Sequence, residues 1–176
     1  MVLTRWFRKK QPGTADVWRA RWAQAVETLD RQAAGELRTM LTSDPSLADT
    51  DVEVEQEMLE GLDRLLALTD ALKAGELPQI QTSHRVVGAD VCHFSAPASL
   101  PDDQVPSSGR VLLTSARAIF VGGAMLTTVA WHAVREVAST DRDVLFIRSS
   151  DDGVRFRFNT FADAMTAAAL ARRLKR

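Results

Sequence analysis

The sequence predicts an α+β chain: an N-terminal antiparallel α-hairpin, then a seven-stranded antiparallel β-barrel capped by a C-terminal helix. Three observations predict this. Apolar residues recur at steps of three and four from residue 16 to residue 72, the pattern changes near His84 to short apolar runs divided by turn residues, and helical spacing returns after Thr160.

Helical spacing comes first. Trp18, Trp22, Val26, Leu29, Ala33 and Leu37 form one apolar stripe, which predicts a single helix from Asp16 to Leu41 after the Pro12-Gly13 break. Ser43-Asp44-Pro45-Ser46 ends it, and Thr50 with Glu53 three residues on reads as a capping box for a second helix. In that helix Met58, Leu62, Leu65, Thr69 and Leu72 form the expected seam, and Gly75 and Pro78 supply the stop. Helices of about 26 and 23 residues would be roughly 39 and 35 Å long, well matched for antiparallel packing. Two stripes facing one another leave their flanks wet, so Trp18 and Trp22 are expected to need a further surface. The organisation expected is a flexible basic N-terminus over 1–13, a helical hairpin over 14–78 and a β-domain over 84–176.

In the second half, strands are expected near 85–95, 110–115, 117–122, 124–131, 134–139, 143–149 and 153–159. The last is the clearest, because Val154, Phe156 and Phe158 alternate with Arg155, Arg157 and Asn159. Gly122-Gly123 and Asp152-Gly153 suit hairpins that need positive φ. Thr160, with Asp163 three residues on, opens a final helix that buries Phe161, Met165 and Ala168. That helix ends in Arg172, Arg173, Lys175 and Arg176, whose charges complement its dipole.

The run Gly109-Arg110-Val111-Leu112-Leu113-Thr114-Ser115-Ala116-Arg117-Ala118-Ile119-Phe120-Val121-Gly122 resembles the pattern of GRAM and bacterial pleckstrin-homology (PH)-like domains. Thr128-Val129-Ala130-Trp131 with Val134 and Val137 looks like the next strands of that family, and Val154 to Phe158 like its last. The resemblance covers residues 84–176; the helical hairpin lies outside it. It implies a PH-like β-barrel and a binding module, in which eukaryotic members often hold phosphoinositides. Phosphate recognition of that kind needs Lys or Arg converging on the loop between the first two strands. Here the expected loop, Pro97 to Ser108, contains no cation and carries Asp102 and Asp103, so the familiar lipid-phosphate site is not expected.

Composition bounds the function classes. The chain has 176 residues, 45% of them hydrophobic, which suffices for a packed core. A single cysteine, Cys92, excludes an intrachain disulfide framework. Arg117, Gly122 and Gly123 interrupt the most apolar stretch, Val111 to Trp131, and no transmembrane segment is expected. The N-terminus lacks the apolar stretch of a secretory signal, and a cytoplasmic location fits best. Net charge is −1, but residues 43–78 hold ten acidic and two basic side chains, whereas the segments on either side are basic. Such asymmetry can be satisfied internally or can steer a partner.

No cofactor, metal site or catalytic residue is expected. The sequence has no phosphate-cradling loop, dinucleotide fingerprint, nucleophile elbow or paired-histidine zinc motif. Cys92 and His93, as strand neighbours, point to opposite faces and cannot easily share an ion with His84 and His132. Asp49, Asp51, Glu53 and Glu60 match a calcium-loop spacing, but Val54 stands where glycine is required. A slightly acidic chain without tyrosine does not suit nucleic acid. The expectation is a non-enzymatic interaction or scaffold protein, with a protein partner or self-association through Trp18, Trp22 and Leu29. The alternative is a peripheral membrane adaptor, meeting anionic lipid through Trp6, Phe7, Arg8, Lys9, Lys10 and the strand residues Arg155 and Arg157.

Overall fold

A computed structural model describes residues 13–43, 52–102, 107–123, 125–150 and 152–176. The chain divides into two compact units, residues 1–59 and 60–176. That division falls within a helix, ahead of the linker after residue 78 that composition marks.

The expected helix over 16–41 is two helices, α1 (Thr14–Thr28) and α2 (Arg31–Ser43). The reason is local. Leu29 takes the left-handed conformation at φ 55°, and the Asp30 carboxylate accepts the amides of Gln32 and Ala33 at 2.8 and 3.1 Å. Asp30 thereby caps α2, and apolar periodicity running through the break hides it. Helix α3 follows at Glu53–Lys73. Thr50, the expected cap, lies outside the described residues. Gly75, at φ 83°, ends α3 as expected: its N–H reaches Leu72 O while Glu76 N–H reaches Ala71 O.

The first unit is closed by tryptophan. Trp18 is fully buried and its indole N–H donates to Leu37 O at 3.0 Å, joining α1 to α2. Trp22 donates to Met58 O at 2.8 Å, joining α1 to the start of α3. Glu55 on α3 is also buried, and Arg19 holds its Oε1 through Nε at 2.8 Å and Nη2 at 2.6 Å. The flanks expected to be wet are thus filled by a third helical face within the same unit.

The second unit contains one antiparallel seven-stranded sheet: β1 (Cys92–Leu100), β2 (Ser107–Thr114), β3 (Arg117–Gly122), β4 (Met125–Ala130), β5 (Val134–Thr140), β6 (Asp143–Arg148) and β7 (Gly153–Phe158). Their order is β4-β3-β2-β1-β7-β6-β5. The sheet is open, with β4 and β5 as its end strands, where a closed barrel was expected. Between those two strands the chain turns through a 3-10 segment, Trp131–Ala133, with no ladder joining them. The long β1 links the two halves, pairing with β2 along its length and with β7 at Ala98 and Ser99.

Helix α4 (Phe161–Leu174) packs across β1, β2, β5, β6 and β7, and Thr160 accepts the Asp163 amide as its cap. Phe120, Phe156, Phe146 and Trp131 make a chain of ring contacts in the core between sheet and helix, with centroids 5.4 to 6.1 Å apart. Leu68 of α3 joins this core, with Leu72 and Leu77 packed against it. Gly61 faces α4 so closely that a Cβ there would stand 3.2 Å from Ala162 N.

Several sequence expectations shift. Residues Arg85–Val87 form a 3-10 turn closed by Gly88 at φ 65°, so the first strand begins at Cys92 and not near 85. Pro97 to Leu100 belong to β1 and Ser107 and Ser108 to β2, which shortens the expected loop at both ends. Gly123 has the positive φ expected, 53°, but Gly153 is an ordinary strand residue opposite Ile147; Asp141, at φ 48°, takes the left-handed position in the β5–β6 turn. In β2 and β3, Leu112 and Ile119 face a small second core with Val87 and Cys92, so the Val111-Leu112-Leu113 run is buried on both faces.

Candidate functional site

Arg155 and Arg157 project from the outer face of β7 while Phe156 and Phe158 occupy the core face, as strand alternation dictates. They do not stand free. Arg157 grips Asp143 with two hydrogen bonds, Nε to Oδ1 and Nη2 to Oδ2, each 2.8 Å. Arg155 grips Asp102 with Nε at 3.0 Å and with Nη2, and its Nη1 lies 3.7 Å from Asp143. Arg148, one strand over, pairs with Asp152 at 2.6 Å. Each of these arginines is matched by a carboxylate, and the cluster of Arg155, Arg157, Asp102 and Asp143 carries no net charge.

The electrostatics follow from that geometry. The hydrogen bonds from Arg157 hold the Asp143 carboxyl below the usual carboxylate range, against the opposing effect of burial, while the same bonds hold the Arg157 guanidinium above its ordinary value. A surface that must collect anionic lipid needs uncompensated cations. The strand arginines expected to meet a membrane join β7 to β6 and to the turn at Asp102. The other half of that expectation, Trp6, Phe7, Arg8, Lys9 and Lys10, lies outside the described residues.

The hairpin residues proposed for partners are placed as follows. Trp18 is wholly interior, Trp22 is half-buried with its N–H committed, and Leu29 is half-buried at the end of α1. Trp18 therefore serves the core of its own unit. Cys92 is buried with its thiol facing Phe94 O at 3.4 Å, and burial raises its pKa more than that contact lowers it. A thiol held protonated is a poor nucleophile and a poor metal ligand. His93, its neighbour, is buried with Nδ1 2.6 Å from Pro78 O.

The end strands offer a different surface, one that sequence pattern did not single out. Edges of sheets are ordinarily blunted by charges, prolines or bulges. β5 is blunted in this way: it has a bulge between Val134 and Glu136, carries Arg135 and Glu136, and receives side chains from α4 and the residue that follows it, with Arg172 Nε on Val137 O at 3.2 Å and Lys175 Nζ on Arg135 O at 2.6 Å. β4 has none of these devices. Its sequence, Met125-Leu126-Thr127-Thr128-Val129-Ala130, contains no charge and no proline, and its register with β3 is unbroken from Gly122↔Met125 to Arg117↔Ala130. Leu126 is 59% exposed and Met125 41%, the former the most exposed large apolar residue described.

No family model matches the chain, and no curated protein matches it. Among solved structures, the C-terminal domain of an unknown protein from Leishmania infantum is similar at TM-score 0.45 and 9% identity, covering 52% of this chain and 90% of that one. The DH/PH fragment of PDZRHOGEF, solved in complex with human RhoA, is similar at TM-score 0.44 and 14% identity, covering 92% of this chain. The linker-DH/PH structure of p115-RhoGEF gives 0.43 and 12%, covering 89% of this chain. The chain spans 54% of the length of each of these DH/PH chains. Among the described residues no helix is long and apolar enough to cross a membrane, and the fold is α+β, with an open antiparallel sheet and a closing helix.

Proposed function

We propose that this chain is a non-enzymatic interaction protein whose second unit is a PH-like module, and that the module engages a protein partner along β4. The PH-like reading is supported by element order: seven antiparallel strands, the long first strand bridging two halves, and one C-terminal helix packed across them. The partner reading rests on one observation, the uncharged, unbulged end strand β4 with Leu126 and Met125 exposed. An extended segment laid against such an edge gains main-chain hydrogen bonds, and alternate side chains give specificity.

Peptide-library selection against the full-length protein tests it, followed by amide chemical-shift mapping of the enriched peptides. Shifts concentrated on residues 125–130, with binding weakened about tenfold or more in L126K, support strand addition, since a lysine is the usual means of closing an edge. Enriched peptides that shift other residues, or bind L126K as well as wild type, would remove this reading.

A further inference from the structure

We propose that the groove between the C-terminal turns of α3 and α4 is a binding site for an anion carrying two or more phosphate groups. The groove has a volume of about 380 Å3, and its lining includes four cations, Lys73, Arg172, Arg173 and Arg176, over a floor with Leu72 and Ala169. Among the described residues no acidic side chain lines it. Its size falls in the range of small-ligand pockets, roughly 300 to 1,000 Å3.

The contrast with four arginines of the sheet carries the inference. Arg117, Arg148, Arg155 and Arg157 each meet a carboxylate within 4 Å. The side chains of Lys73, Arg173 and Arg176 meet none among the described residues, and Lys73 and Arg173 are exposed. Arg172 is held in place by β5, its Nε on Val137 O at 3.2 Å and its Nη2 on Ser139 Oγ at 3.0 Å. One guanidinium is thus preoriented, and three further cations line the same groove.

Helix dipoles offset only part of that charge. A helix C-terminus is equivalent to about half a negative charge, so two of them cancel about one of the four positive charges. About three remain, which a single carboxylate does not match and a di- or triphosphate does. Guanidinium forks suit phosphate oxygens geometrically, and the aliphatic floor lowers the local dielectric, strengthening each pair. This site is separate from β4 and stands or falls without it.

Calorimetric titration of the full-length protein with sodium tripolyphosphate is the test, alongside co-sedimentation with vesicles of phosphatidylcholine with and without phosphatidylinositol bisphosphate. The double variant K73Q/R173Q removes two cations that pair with no carboxylate among the described residues, and R21Q/R85Q removes the same charge elsewhere; unchanged melting temperatures confirm that both fold. Saturable tripolyphosphate binding, weakened about tenfold or more in K73Q/R173Q and retained in R21Q/R85Q, supports the site with a soluble ligand. Vesicle binding lost in the same selective way supports it with a lipid headgroup as the source. Absence of binding in both arms, or equal weakening by the two double variants, overturns the proposal.

Discussion

Asp143 and Arg157 stand directly opposite one another across the β6–β7 ladder, joined by two hydrogen bonds of 2.8 Å. A cross-strand pair of opposite charge at this position fixes register as well as adding energy. Because Arg157 lowers the Asp143 pKa in the folded state, the contribution is present in full above the ordinary carboxylate range. It is lost as pH falls from there through the folded value. D143N should cost about 1 kcal/mol near neutral pH, a modest figure because the Arg157 side chain is 56% exposed to screening solvent. Urea unfolding of both proteins at a series of pH values should show this gap closing below about pH 4. A gap that stays constant would mean that the carboxylate charge does not stabilise the pair.

Trp18 has no exposed surface and spends its only polar atom on Leu37 O. Phenylalanine in its place loses that hydrogen bond and part of the filled volume, so W18F should lower stability by about 1 to 3 kcal/mol. Hydrogen exchange should quicken in α1 and α2, whose contact the indole makes. If exchange in 14–43 is unchanged while a binding activity is lost, Trp18 would be a partner residue after all.

What was legible follows from the reach of each signal. Alternation at Val154, Phe156 and Phe158 was readable because strand period is local, and the cap at Thr160 because it needs only the residue three positions on. The break at Leu29-Asp30 was hidden because the apolar stripe continues in register across it, although Asp30 three residues before Ala33 was a cap signal. The pairing of Arg155 with Asp102 spans 53 residues of sequence, and no local pattern encodes it. For the same reason the arginines read as a free patch, and the bareness of β4 was invisible until its place at the end of the sheet was known.

Cys92 sits in the small second core with Val87, Leu112 and Ile119, its thiol kept protonated by burial. Iodoacetamide should therefore modify the native protein far more slowly than the urea-unfolded chain, since only the thiolate reacts. Mass spectrometry across a urea series should show alkylation tracking unfolding. Rapid modification of the native state would show that the 79–92 segment opens without global unfolding.

Two glycines should respond to alanine with opposite signs. At Gly109 a Cβ would stand 2.3 Å from Val121 O and 2.6 Å from Gly122 Cα, both backbone atoms of β3 that cannot move aside without spreading the β2–β3 ladder. G109A should cost about 2 kcal/mol or more, as overpacking does. Gly35 lies exposed in the middle of α2 with nothing within 4 Å of a Cβ, so G35A should gain about 0.5 to 1 kcal/mol from helix propensity and a less flexible unfolded chain. Thermal unfolding of both variants checks the pair. The difference in sign would arise wholly from what surrounds the added methyl group, because the chemical change is identical; stabilisation by G109A would mean that β2 and β3 do not approach as closely as Arg110↔Val121 pairing requires.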